Sequence, residues 1–232
     1  MQVSTKSTKR TKMTMAERLN TLRAGVLGSN DGILTVVGVL FSVAVATTNQ
    51  FTIFIAGLSD LLACAFSMAS GEYASVSSQK DTEKAAVAKE AALLKEQPDQ
   101  AAKVIREFYI GRGVSATTAQ EITDELMQKN ALGTLVRIKY DLDLGHYMNP
   151  WNAAFSSLFA AASGGLFPLA AMTFAPVNIQ WPVTIVAVTL SVALTGYLSA
   201  KLGDGLVRTA IIRNVIVGII TMFIHYRVGL LL

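Results

Sequence analysis

The sequence predicts an all-α membrane protein: five transmembrane helices with a cytoplasmic three-helix insert between helices 2 and 3. Three observations carry this. The 232 residues are 52% hydrophobic and only 16% charged, with a mean hydropathy of +0.44, where soluble domains carry about 25% charge. The apolar residues gather into five runs, each near the ~20 residues a helix needs to cross hydrocarbon. The basic residues lie outside the cores of those runs and alternate from one connection to the next, as the positive-inside rule requires.

Residues 1–22 form a basic tail with Lys6, Lys9, Arg10, Lys12 and Arg18. No short apolar core with a cleavage site follows, so it reads as a cytoplasmic tail rather than a signal peptide. Residues 23–78 hold the first two spans, about Val26 to Thr48 and Phe51 to Ser70, the second able to continue as a helix beyond the membrane. The uncharged Thr47-Thr48-Asn49-Gln50 links them. Residues 79–149 are a different material, rich in charge of both signs and near neutral in balance. Here Pro98 ends one helix and opens the next. Val104, Ile105, Phe108 and Tyr109 form an apolar stripe at helical spacing, and Gly111 and Gly113 end that helix. Thr118 and Glu121 read as a capping box for a third helix, with Ile122 and Leu126 on its buried side. Residues 150–232 hold the last three spans, about Trp151–Phe174, Trp181–Ala200 and Leu206–Tyr226. The small residues at 160–165 in the third span predict close helix approach in lipid. The basic tail, the insert and the Lys201–Arg208 link carry the cations, which places the N-terminus and the insert in the cytoplasm and the C-terminus outside.

Several function classes are excluded. The net charge of +4 comes from basic residues beside apolar runs, so it speaks for membrane topology and not for nucleic acid. A single cysteine, Cys64, forms no intrachain disulfide. There is no P-loop, nucleophile motif or Glu-x-x-His pair, so an enzyme is poorly supported. What stands out is Asp60, alone in a run otherwise free of charge from Phe51 to Gly71. An acid at membrane depth costs roughly 2.5–3.5 kcal/mol on insertion scales, and such a residue is kept when it meets an ion, a proton or a substrate. Asp31 repeats the pattern in the preceding run, within Ser29-Asn30-Asp31-Gly32. Asp60, Cys64, Met68 and Glu72 are spaced by four and share a slowly drifting helix face. That stripe offers a carboxylate, a thiol and a thioether, and the sulfurs favour transition metals over magnesium or calcium. Blander readings stand beside these. Cys64 and Met68 also suit core packing. Asn30 or Asp31 would cap a helix start, and Gly32 would let a backbone or ion approach. Glu72 is a vestibule ligand or a solvated interfacial acid. His146 and His225 are isolated. The alternative in another class is a membrane-anchored interaction protein whose insert is the working part.

The Ser29–Gly32 motif, Asp60, and Ser67-Met68-Ala69-Ser70-Gly71-Glu72-Tyr73 together resemble the vacuolar iron transporter family, in a bacterial or plant-nodulin-like form. The order of parts, two spans, a helical insert and three spans, is similar too, from about Arg23 onward. The resemblance implies a five-span homodimer in a lipid bilayer that exports Fe2+, and often Mn2+, from the cytoplasm in exchange for protons. The metal is then substrate, with no cofactor and no nucleic-acid partner. It implies a path along the dimer interface between the first spans, and metal contacts from Asp31, Asp60 and Met68, with Asp60 standing where plant members have Glu. The membrane would be the cell (inner) membrane in a bacterium or the vacuolar membrane in a eukaryote. In the insert the resemblance carries metal ligands onto Glu90 and Asp141 only. Its other ligand positions fall on Leu93, near Ala101 and Val104, and on Arg137, whose cation would repel metal.

Overall fold

The computed structural model describes Met15–Leu231; the tail cations Lys6, Lys9, Arg10 and Lys12 lie outside the described residues. Seven helices follow in order: α1 (Met15–Ala46), α2 (Gln50–Glu96), α3 (Pro98–Gly111), α4 (Ala116–Tyr140), α5 (Pro150–Phe174), α6 (Gln180–Leu202) and α7 (Val207–Gly229). There is no strand among the described residues. Five of the helices, α1, α2, α5, α6 and α7, are long and apolar enough to cross a membrane. Their outward faces carry Phe159, Leu190, Ile216, Ile219 and Phe223, all more than half exposed. Apolar surface this extensive belongs against lipid rather than water.

The helices divide into two compact units. One comprises the chain up to Ala74 together with Asn149 onward; the other is Ser75–Met148. In the first unit α1 is the central rod. Its Ile33, Val36, Val37, Leu40 and Phe41 are buried among Ile53 and Leu61 of α2, Leu169 and Met172 of α5, Val188 and Val192 of α6, and Met222 of α7. The expected close approach of the small-residue run is present, and its partner is α1. A Cβ on Gly32 would lie 2.2 Å from the Ala161 carbonyl oxygen, and one on Gly165 would lie 2.8 Å from the Gly32 oxygen. The two helices run parallel with backbones touching, which only missing side chains permit. Local signals set the helix starts. Asn49 accepts from Thr52 N at 3.1 Å to open α2. Asn149 accepts from Trp151 N at 3.0 Å to open α5, with Pro150 following.

In the second unit, Ala101, Ile105 and Leu135 form the buried centre, with Leu93, Leu94, Val104, Tyr109, Leu126 and Met127 packed around them. Pro98 opens α3 as expected, and Gly113 takes φ 88°, a left-handed turn after the helix. Two expectations need correction. The α4 cap is Ser115, whose hydroxyl accepts from Thr118 N at 3.2 Å, so the helix begins before Thr118. The reason is that Ser115 takes the extended backbone a cap needs while Thr118 is already helical. And α4 is kinked at Asn130 (φ −158°, ψ 53°), so its two halves are separate helical pieces.

Candidate functional site

The α1–α2 hairpin turns tightly through Thr47–Asn49, so residues equally far from the turn face each other. The pairs step by four on both helices. Arg23 Nη2 meets Glu72 Oε2 at 3.2 Å. Two turns further, Cys64 Sγ donates to Asp31 Oδ2 at 3.5 Å. One turn beyond, Thr35 neighbours Asp60, and its hydroxyl donates back to the Asp31 carbonyl oxygen at 2.9 Å. Asp31 and Asp60 therefore come together on one seam, within reach of each other's charge. Met68 lies on α2 between Glu72 and Cys64, half-buried against Cys64, Ala65 and Ala161.

Asp31 is not a helix cap: α1 runs unbroken through it from Met15 to Ala46. Its neighbour Asn30 has a buried side-chain oxygen with no partner, and so does Asp60 through Oδ2. Buried polar atoms are nearly always bonded, and an unfilled carboxylate oxygen carries its full desolvation cost. A cation or a proton arriving at Asp60 would remove that cost. The donor set suits a transition metal: the Asp31 carboxylate from α1, with the Asp60 carboxylate, the Cys64 thiol and the Met68 thioether from α2. Among the described residues no three His, Cys, Asp or Glu side chains converge as one metal-binding group. An ion on this seam thus keeps water, uses Met68 or backbone oxygen, or takes ligands from outside the chain.

Glu72 is neither open nor solvated. It is 7% exposed and held by Arg23. In the second unit, Glu90 is fully buried, with Lys139 Nζ at 2.7 Å and the Tyr140 hydroxyl at 3.0 Å. The hydrogen bond to Glu90 raises the Tyr140 phenol above its usual pKa, because losing that proton would set two anions together. Asp141 is exposed, caps α4 in the left-handed region and pairs with Arg137 at 3.3 Å. Arg137 also holds Asp143 at 2.8 Å. The structure joins Glu90 to Lys139 and Tyr140 and leaves Asp141 on Arg137.

Sequence reasoning missed Arg23, Thr35, Lys139, Tyr140 and the surroundings of His225. The first two were within reach: counting outward from the short turn sets Arg23 opposite Glu72 and Thr35 opposite Asp60. No such rule brings Lys139 to Glu90.

The family model described as the VIT family matches residues 22–230, which takes in every residue of the seam. The chain belongs to the VIT family. A vacuolar iron transporter of Acanthamoeba castellanii is 33% identical over 211 residues, covering 90% of this chain and 78% of that protein. Vacuolar iron transporter homolog 3 of Arabidopsis thaliana is 27% identical over 212 residues, covering 91% of this chain and 82% of that protein. Over a shorter stretch of 69 residues, vacuolar iron transporter homolog 5 of Oryza sativa subsp. japonica is 44% identical, covering 30% of this chain and 33% of that protein. VIT members are transporters and not enzymes.

Proposed function

We propose that this VIT-family chain carries divalent iron, and manganese with it, out of the cytoplasm in exchange for protons. The observation that carries the reading is the Asp60 carboxyl oxygen, buried and unpartnered beside Asp31 on the α1–α2 seam. Asp31 and Asp60 bind the ion after losing protons; Met68 and Cys64 favour it over magnesium and calcium; protonation on the far side releases it. Moving one charge against 100 mV costs about 2.3 kcal/mol, so a divalent ion needs about twice that, which returning protons can supply. The positive-inside pattern puts the tail, the N-terminus and the 79–149 insert in the cytoplasm as a helical domain. The scarcity of converging ligands among the described residues favours a homodimer whose two seams share the path. The membrane is the cell membrane if the host is bacterial. Glu72, tied to Arg23, sits at the cytoplasmic mouth as an entry ligand that the arriving metal must free. Glu90 and Asp141, each held by a cation of the same chain, serve the insert's own structure and leave the metal to the seam.

The test is Fe2+ and Mn2+ uptake by proteoliposomes with an acid interior. Wild type should accumulate metal and alkalinise the lumen, whereas Asp31→Ala should do neither. Wild-type transport by Asp31→Ala would overturn the proposal. Uptake without lumenal alkalinisation would overturn proton exchange alone.

A further inference from the structure

His225 lies on the last turns of α7, five helices on from α2 in sequence order, yet it comes within reach of Asp60. A Cβ built on Gly38 of α1 would stand 2.6 Å from both Nε2 and Cδ2 of the His225 ring. The imidazole thus lies flat against bare α1 backbone, inside the bundle rather than toward lipid. Its other nitrogen, Nδ1, is 2.9 Å from the Thr221 carbonyl oxygen. A carbonyl only accepts, so Nδ1 carries a proton, and Nε2 is the nitrogen left to offer a lone pair. Nε2 makes no hydrogen bond among the described residues, and His225 lies within reach of the Asp60 charge. Along α1 the order is Asp31, Thr35 beside Asp60, Gly38 under His225, then Ser42, whose hydroxyl donates to the His225 carbonyl oxygen at 3.4 Å. A histidine with one nitrogen tied to a backbone carbonyl and the other unoccupied is oriented as metal-ligating histidines are.

We infer that His225 is a metal-handling residue of the transport path: its Nε2 takes the transition-metal ion from Asp60 and passes it toward the end of the bundle built by the C-terminal turns of α1 and α7. This rests on the reading of Asp60 as a path residue. Imidazole suits iron, cobalt and zinc better than manganese, so the hand-over also sorts the cargo. Gly38 serves the site by leaving room for the ring.

The test uses the full chain in proteoliposomes, with Fe2+, Co2+ and Mn2+ supplied separately. His225→Asn keeps a donor for the Thr221 oxygen and removes the distal nitrogen, while His225→Ala removes both. Both variants should lose about tenfold in Fe2+ and Co2+ uptake and distinctly less in Mn2+ uptake. Gly38→Ala, whose added methyl has three His225 ring atoms as its nearest neighbours, should reproduce the loss, and Gly38→Ala with His225→Ala should be no worse than His225→Ala alone. In detergent, Co2+ bound to wild type should change its visible absorption on His225→Asn. Asp60→Ala is the control. If Asp60→Ala is dead while His225→Asn transports all three metals as wild type, the His225 proposal falls and the path reading stands. If Asp60→Ala also transports normally, the path reading itself falls. Equal loss for all three metals, with an unchanged cobalt spectrum, would make His225 a packing residue and overturn the proposal.

Discussion

Acids in the two units are treated in opposite ways. On the α1–α2 seam, Asp60 keeps a buried oxygen with no partner, and Asp31 has a weak thiol donor on Oδ2. In the 75–148 unit, Glu90 is buried more deeply yet fully provided for, with Lys139 and Tyr140 on its two oxygens. The more deeply buried acid is the satisfied one, and the half-buried Asp60 is not. A buried carboxylate that the fold has already neutralised is part of the fold. One left with an open oxygen is where the proposed path has room for an ion or a proton. Glu72 stands between the two cases: it belongs to the seam but is filled by Arg23.

The contrast can be broken by exchange of roles, and the largest effect is expected at Asp60. Asp60→Asn should reduce metal uptake by about a hundredfold while leaving the thermal midpoint in detergent unchanged or higher, since it removes an uncompensated buried charge. A large loss of stability would mean that Asp60 is structural and the contrast false. Glu90→Ala should do the reverse. It strands the Lys139 cation and should cost about 2 kcal/mol of stability, below the range for fully buried pairs because Lys139 is partly open, with transport per folded molecule retained. Asp141→Asn, at an exposed pair, should stay within about 0.5 kcal/mol. Chemical denaturation followed by circular dichroism, beside uptake assays, separates the three.

The smallest effect concerns pH. Tyr140 has a folded pKa raised by its bond to Glu90. The native state then holds the phenolic proton longer than the unfolded chain does. Its contribution is fully present below the ordinary phenol pKa of about 10 and fades as pH rises through the folded value. Tyr140→Phe should remove that alkaline fall-off. Denaturation midpoints for wild type and variant that run parallel above pH 10 would show that the bond does not couple to folding.

Most of the architecture was readable because hydropathy and helix signals are local sums. A run of about twenty apolar residues must span or be buried wherever it lies, and Pro98 opens a helix whatever its neighbours. The Asp60 anomaly was legible for the same reason, as one charge against a uniform background. Capping was harder, since Ser115 and Thr118 compete over one helix start and only backbone conformation chose. The Asn130 kink carried no proline or glycine at its own position to announce it.

By itself the sequence determined that five runs are apolar enough to cross a bilayer, that Asp31 and Asp60 lie inside the first two, and that small residues allow close helix approach. Tertiary packing alone decided which acids find partners: Arg23 for Glu72, Lys139 and Tyr140 for Glu90, none for one oxygen of Asp60. It also laid the His225 ring on Gly38. The physical reason is range. Hydropathy and propensity act over a turn or two of chain, whereas hydrogen bonds and ion pairs act over a few ångströms of space, between residues that only the register of packed helices brings together.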